Sequence, residues 1–150
     1  MGPDSRGFTL VEIMIAVTII GITAMLVMPA ALSAAHRARC ARTGSDMRTF
    51  ANAFVTYAAD HGQYPPDSHL TLPPGMDDYI DTGKWYAETA LGGHWNWDSP
   101  SSYSYAGVAI FVHDCTDDEL RVLDAMVDDG NLATGEIIKS SHGRPTYIIE

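Results

Sequence analysis

Cysteine is nearly absent from this 150-residue chain, which has only Cys40 and Cys115. Structural zinc sites use closely spaced Cys or His pairs, and His113, two residues from Cys115, has no second pair near it. Catalytic signatures are missing as well: there is no nucleophile elbow, no HExxH and no phosphate-binding glycine loop. Basic residues are scarce beyond the first third. From Asp60 onward 16 acidic side chains stand against four Lys or Arg, within a formal net charge of −10 for the whole chain. That balance excludes nucleic acid as the main partner, because phosphate binding needs a basic stripe. Charge of either sign is absent from Ile13 to Ala35, a run of 23 residues.

That run is the chain's leading positive feature. A helix rises ~1.5 Å per residue and a hydrocarbon core is ~30 Å thick, so about 20 apolar residues suffice to cross a bilayer. A secretory signal peptide has a shorter apolar core followed by a cleavage site, and here helix-like sequence continues past Ala35. A plain single-pass anchor fits the length but gives no reason for Glu12 at the head of the run. An ionised carboxylate in hydrocarbon costs roughly 2.5–3.5 kcal/mol on insertion scales. Glu12 is therefore expected to have a partner.

Arg6-Gly7 followed by Phe8-Thr9-Leu10-Val11-Glu12 resembles the processing site of type IV pilins and type II secretion pseudopilins. The resemblance implies a leader, residues 1–7, removed by a prepilin peptidase that cuts between Gly7 and Phe8 and methylates the new N-terminal amine of Phe8. It implies that Glu12 is matched to the N-terminal amine of a neighbouring subunit during filament assembly. It also sets the topology, with the head in the periplasm and a single pass through the bacterial inner membrane. Charge counting alone gives the opposite orientation, because Arg37, Arg39, Arg42 and Arg48 follow the span while Arg6 is offset by Asp4. The partners implied are copies of the chain and other pseudopilins, the peptidase, an inner-membrane assembly platform and membrane lipid.

The expected fold is α+β and type IV pilin-like, a long N-terminal helix packed on a small antiparallel sheet. Residues 8–35 are read as the transmembrane and assembly helix, 36–61 as an amphipathic helix lying on the head, and 62–150 as the head. Gly21 and Pro29 are the positions at which the helix is expected to kink, proline because it removes an amide donor and clashes with the preceding turn. Met47, Phe50, Ala51, Phe54 and Ala58 recur at helical spacing and form one apolar stripe. Asp60-His61-Gly62-Gln63-Tyr64-Pro65-Pro66 stops the helix, and an Asp-x-Gly-x-Tyr-Pro sequence after the stem also resembles pseudopilins. Pro73, Pro74 and Pro100 with Gly75, Gly83, Gly92 and Gly93 make residues 67–102 loop-rich with at most short elements. Within it Trp85, Trp95 and Trp97 are read as aromatics pinning a loop to the core, with a ligand platform as the competing reading. Residues 91–98 resemble a Gly-Gly-x-aromatic segment of some pseudopilin-like proteins.

Further on, residues 103–112 read as a strand. Thr116 and Glu119 form a capping box for a short helix with Leu120, Leu123, Ala125, Met126 and Val127 on its apolar side, ending at Gly130. Two closing strands, 136–140 and 146–150, form a hairpin. Cys40 and Cys115 either pair in a disulfide, in an oxidising compartment, or serve as small apolar fillers. Asp124, Asp128, Asp129 and Asn131 surround Gly130, but an EF-hand is excluded because Ala125 and Val127 occupy its first ligand positions. No cofactor or metal is assigned, although the resemblance leaves calcium open in the C-terminal loop, as in major pseudopilins. The function implied is a non-enzymatic pseudopilin, inserted in the membrane and drawn into a filament by an assembly ATPase. The alternatives are a surface type IV pilin for adhesion, motility or DNA uptake, and a membrane-anchored binding protein using the Trp-rich head.

Overall fold

The computed structural model describes residues 7–111 and 113–150. The expected leader lies outside the described residues except for Gly7, and so does Val112 of the expected strand. The chain divides into two compact units, one up to His36 and the other Arg37–Glu150. Helix α1, Leu10–His61, runs through both.

In the first unit α1 buries none of its side chains. Leu10, Val11, Ile13, Met14 and Ile15 and the apolar residues on to Leu32 are exposed, and the most apolar 18-residue window has a mean hydropathy of 2.5. By length and composition this segment can cross a membrane. Its threonines suit that setting. Thr18 Oγ1 donates to the Met14 carbonyl at 2.7 Å and Thr23 Oγ1 to the Ile19 carbonyl at 2.9 Å, so neither hydroxyl is left unpaired on an apolar surface. Pro29 lies inside the helix, whose assignment is unbroken at Gly21 and Pro29 alike.

From Arg37 onward the helix has one buried face, made by Cys40, Thr43, Gly44, Met47, Phe50, Ala51 and Phe54. This is the predicted stripe extended one turn and more toward the N-terminus, while Ala58 is only half-buried. The helix ends where expected: Gly62 takes φ +74° and its amide donates to the Ala58 carbonyl at 2.8 Å, a left-handed position that glycine adopts without a Cβ penalty.

A four-stranded antiparallel sheet in the order β1-β2-β4-β3 packs on this face. Its strands are β1 His94–Asp98, β2 Gly107–Phe111, β3 Ile137–Lys139 and β4 Pro145–Ile148. Side chains directly opposite one another share a face, so the register Trp95↔Ile110 and Trp97↔Val108 places both indoles beside β2's apolar residues. Phe54 stacks on Trp97 with centroids 3.7 Å apart, and Phe50 meets Trp95 edge-on at 5.0 Å. Trp85, on the short helix α2 (Thr82–Tyr86), packs edge-on against both phenylalanines.

The segment expected to be loop-rich with at most short elements holds two of five residues each, α2 and β1, and Trp95 and Trp97 pin it to the core from strand β1 rather than from a loop. With Trp85 at 1%, Trp95 at 3% and Trp97 at 0% exposure, the indoles also offer no surface platform for a ligand.

Helix α3, Asp117–Val127, begins with the predicted capping box: Thr116 Oγ1 accepts from the Glu119 amide, and the Glu119 carboxylate accepts from the Thr116 amide at 2.9 Å. Its buried residues are Leu120, Leu123 and Asp124. Ala125 and Met126, expected on the apolar side, are exposed, because the helix turns Asp124 inward instead. Where α3 crosses α1, a Cβ on Gly44 would lie 2.5 Å from Val127 Cγ2 and 3.6 Å from Leu123 Cδ1. Gly44→Leu is therefore expected to destabilise the chain by about 1–3 kcal/mol through overpacking, read as a lower melting temperature in detergent. An unchanged melting temperature would mean that α3 gives way freely.

Candidate functional site at the N-terminus

The residues singled out by the sequence, Gly7, Phe8 and Glu12, sit at the start of α1. Gly7 and Phe8 are both exposed, Phe8 at 83%, and among the described residues beyond its chain neighbours no atom lies within 4 Å of where a Gly7 side chain would begin.

Thr9 precedes the first helical residue, and its carbonyl accepts from the Ile13 amide at 3.3 Å. Its amide and hydroxyl both donate to Glu12 Oε2, at 2.8 and 2.7 Å, while the Glu12 amide donates to Thr9 Oγ1 at 3.3 Å. This is a second capping box, Thr9-x-x-Glu12, of the same construction as the one at Thr116. Its signal in the sequence is the Thr-x-x-Glu spacing at Thr9 and Glu12. It gives Glu12 a partner inside its own chain, where the solvation argument had looked only outside. One carboxylate oxygen satisfies two donors near a helix N-terminus, where negative charge is favoured.

The other residues considered at the sequence level lie in the second unit. Cys40 is fully buried and Cys115 partly buried, and both are thiols. Burial pushes the Cys40 thiol up to about 11, with the neighbouring Cys115 adding to the effect. Burial likewise raises Cys115, helped by Glu119 and opposed by Arg39.

Ligand oxygens of Asp124, Asp128 and Asp129 come within 4.8 Å of one another. Asp124 is fully buried, and neither of its oxygens is hydrogen-bonded among the described residues. Burial first, then Asp129 and Asp128, push its pKa up to about 6; the Gly130 amide acts the other way without reaching hydrogen-bond geometry. A hard cation fits such a donor set, and these three residues would hold it. Asp128 and Asp129 are already bound to the loop that follows, to the Glu136 and Asn131 amides and the Thr134 hydroxyl.

Against known proteins, residues 3–28 match the model of the prokaryotic N-terminal methylation motif. The chain is 35% identical over 86 residues to type II secretion system core protein G of Escherichia coli K12, an alignment covering 52% of this chain and 59% of that protein. It is 41% identical over 62 residues to the protein of the same name from Pseudomonas aeruginosa, covering 41% of this chain and 44% of that one. The chain thus spans about half the length of the curated relatives it matches. Among solved structures, the major type IV pilin PilA1 from Clostridium difficile superimposes with a TM-score of 0.54 at 14% identity, covering 76% of this chain and 96% of that one. At that identity the likeness speaks for the fold alone. The chain is therefore type IV pilin-like, a long N-terminal helix and a small antiparallel sheet with a prokaryotic N-terminal methylation motif at its start.

Proposed function

We propose that the chain is a pseudopilin, a non-catalytic filament subunit of a type II secretion system. In this reading residues 8–35 hold the subunit in the inner membrane with residues 36–150 in the periplasm. A prepilin peptidase removes the segment up to Gly7 and methylates Phe8, and the assembly platform then transfers the subunit into a filament with copies of itself and other pseudopilins. The observation that carries it is an exposed apolar helix with a carboxylate in its first turn, led by the exposed Gly7 and Phe8. An exposed apolar face in water is costly at about 25 cal/mol per Å². Lipid before assembly, and like helices after it, remove that cost.

Glu12 has a defined part in this reading. Within one subunit its carboxylate closes the capping box with Thr9, and in the filament its charge attracts the amine of a neighbour's Phe8. Only one of its two oxygens is committed to Thr9, so the other can accept from that amine without opening the helix start.

The test is intact-mass analysis of protein extracted from membranes of cells with an active prepilin peptidase. The expected result is a chain that begins at Phe8 and carries one extra methyl group. An intact leader would sink the reading. A surface type IV pilin is the second reading, since the fold is one that a type IV pilin shares. Deleting the gene separates the two: loss of a secreted substrate supports the pseudopilin, and loss of surface filaments with secretion intact supports the pilin.

A further inference from the structure

Four arginines follow the charge-free run, and charge counting sets them against the expected topology. Their surroundings divide them. Arg48 is used by the head, where its guanidinium donates to the Val127 carbonyl at 2.6 Å and lies 4.0 Å from Glu136. Arg37, Arg39 and Arg42 are exposed, and no carboxylate occurs in the sequence between Glu12 and Asp46. Arg42 comes only within 4.0 Å of Asp46, with 78% of its side chain exposed, and such a pair is worth little in water. At ~3.6 residues per turn, the buried positions of α1 from Cys40 to Phe54 fall in one arc of about 120°. Arg37 stands at one margin of that arc, Arg39 at the other, and Arg42 on the back. The three cations therefore surround the uncovered side of the helix within about a turn and a half.

On the Arg37 side, and wholly within the second unit, an open cleft of about 400 Å³ is lined by Arg37 of α1 and by Arg121, Val122, Ala125, Met126 and Gly130. It combines two guanidinium groups with an apolar wall that includes the exposed Met126. Arg121 Nη1 donates to Asp118 at 2.7 Å, and with 56% of its side chain exposed it keeps further donors for a ligand. Asp128 and Asp129 do not line the cleft and are bound to the loop that follows them.

We propose that Arg37, Arg39, Arg42 and Arg121 form a collar that binds the phosphate headgroups of anionic phospholipids, in the leaflet from which the head emerges. Guanidinium forks match phosphate oxygens two at a time. The depth is right as well. Arg37, Arg39 and Arg42 follow Ala35 by two, four and seven positions, and a headgroup layer of roughly 5–7 Å per leaflet takes four or five residues of helix at ~1.5 Å each. Arg37 and Arg39 fall within that layer, and the long Arg42 side chain reaches back to it. A second subunit would approach from one side, whereas lipid surrounds a helix, and the charges are placed at both margins and on the back. Headgroup binding rests on the membrane placement of residues 8–35 proposed above and needs neither processing nor a filament. It gives the arginines beyond the span a use other than setting topology.

The test is native mass spectrometry of the full chain in detergent micelles that hold equal amounts of phosphatidylglycerol and phosphatidylcholine. The wild type is expected to retain phosphatidylglycerol in preference, and raised salt should strip it selectively. Arg37→Gln, Arg39→Gln and Arg42→Gln should each weaken that preference about fivefold, and the triple variant should lose it. Arg48→Gln should keep it. Equal retention of both lipids by the wild type, or an undiminished preference in the triple variant, would overturn the proposal, as would displacement by free glycerol phosphate at the same concentration. Loss of cross-links between copies in the triple variant, with lipid preference intact, would assign the arginines to a neighbouring acidic head instead. Retention of no lipid of either kind would strike the membrane placement itself.

Discussion

Glu12→Gln is expected to yield a chain that inserts and is processed normally yet forms no filaments. Glutamine keeps the geometry of the capping box, since its side-chain oxygen can still accept from Thr9, and capping boxes tolerate Gln at this position. The start of α1 should therefore survive. What glutamine removes is the charge, and with it the attraction to a neighbour's N-terminal amine in a low-dielectric setting, where charge pairs are stronger than in water. Glu12→Ala removes both, so it should also fray the helix start, at a cost of about 1 kcal/mol by analogy with lost caps. Fractionation reports insertion, mass analysis reports processing, and sheared or cross-linked material reports filaments. Filaments at wild-type levels from the glutamine variant would reduce Glu12 to a helix cap.

Breaking the buried pair Asp98–Arg144 should have the largest effect on stability. Asp98 is 0% exposed and Arg144 7%, and Arg144 Nη2 lies 3.4 Å from both carboxylate oxygens. Asn96 Nδ2 donates to Asp98 at 2.7 Å and the Tyr105 hydroxyl at 3.2 Å. Burial nonetheless raises the Asp98 pKa, against the opposing pull of Arg144 and those hydrogen bonds. The ion pair therefore compensates the burial only in part, and Arg144 Nε has no hydrogen-bond partner among the described residues. Removing one member strands the other charge, so Asp98→Ala or Arg144→Met should each cost about 3–5 kcal/mol. For a small head whose total stability is about 5–15 kcal/mol, either change leaves it near the edge of unfolding. The double variant should recover much of the loss, a non-additivity readable by urea titration of the two singles and the pair. Additive losses would show that the two groups act separately.

The parts of this molecule that the sequence made readable are those where one local rule acts alone. The stem's apolar stripe, its stop at Gly62 and the Thr116 capping box all follow from helical period and end chemistry, and α1 and α3 lie where those signals put them. The hairpin of β3 and β4 was anticipated from residues 136–150, within one or two residues at each end. Strand β1 was not, because His94-Trp95-Asn96-Trp97-Asp98 sits among glycines and prolines that read as loop. Its pairing with β2 depends on partners distant in sequence. Asp124 stood out only as part of the acidic turn around Gly130, and its burial was not legible for a related reason, since a carboxylate on an otherwise apolar face is read as solvent-facing until packing turns it inward. At the N-terminus the family likeness drew attention to Glu12 as a group awaiting a neighbour, and so the Thr9 partner three residues away was overlooked.

The order β1-β2-β4-β3 leaves two strands at the rims of the sheet, and rims are where chains stick to one another by adding strands. Here neither rim presents a long bare template. Strand β3 has only three residues, and Ser68 bridges to Trp97 along β1, its amide and carbonyl meeting those of Trp97 at 3.5 and 3.4 Å. His69 and Leu70 reinforce that cover by binding the Asn96 side chain. In the filament reading proposed above, heads crowded on a membrane would thereby be discouraged from fusing into continuous sheets, leaving ordered association to the helical stems.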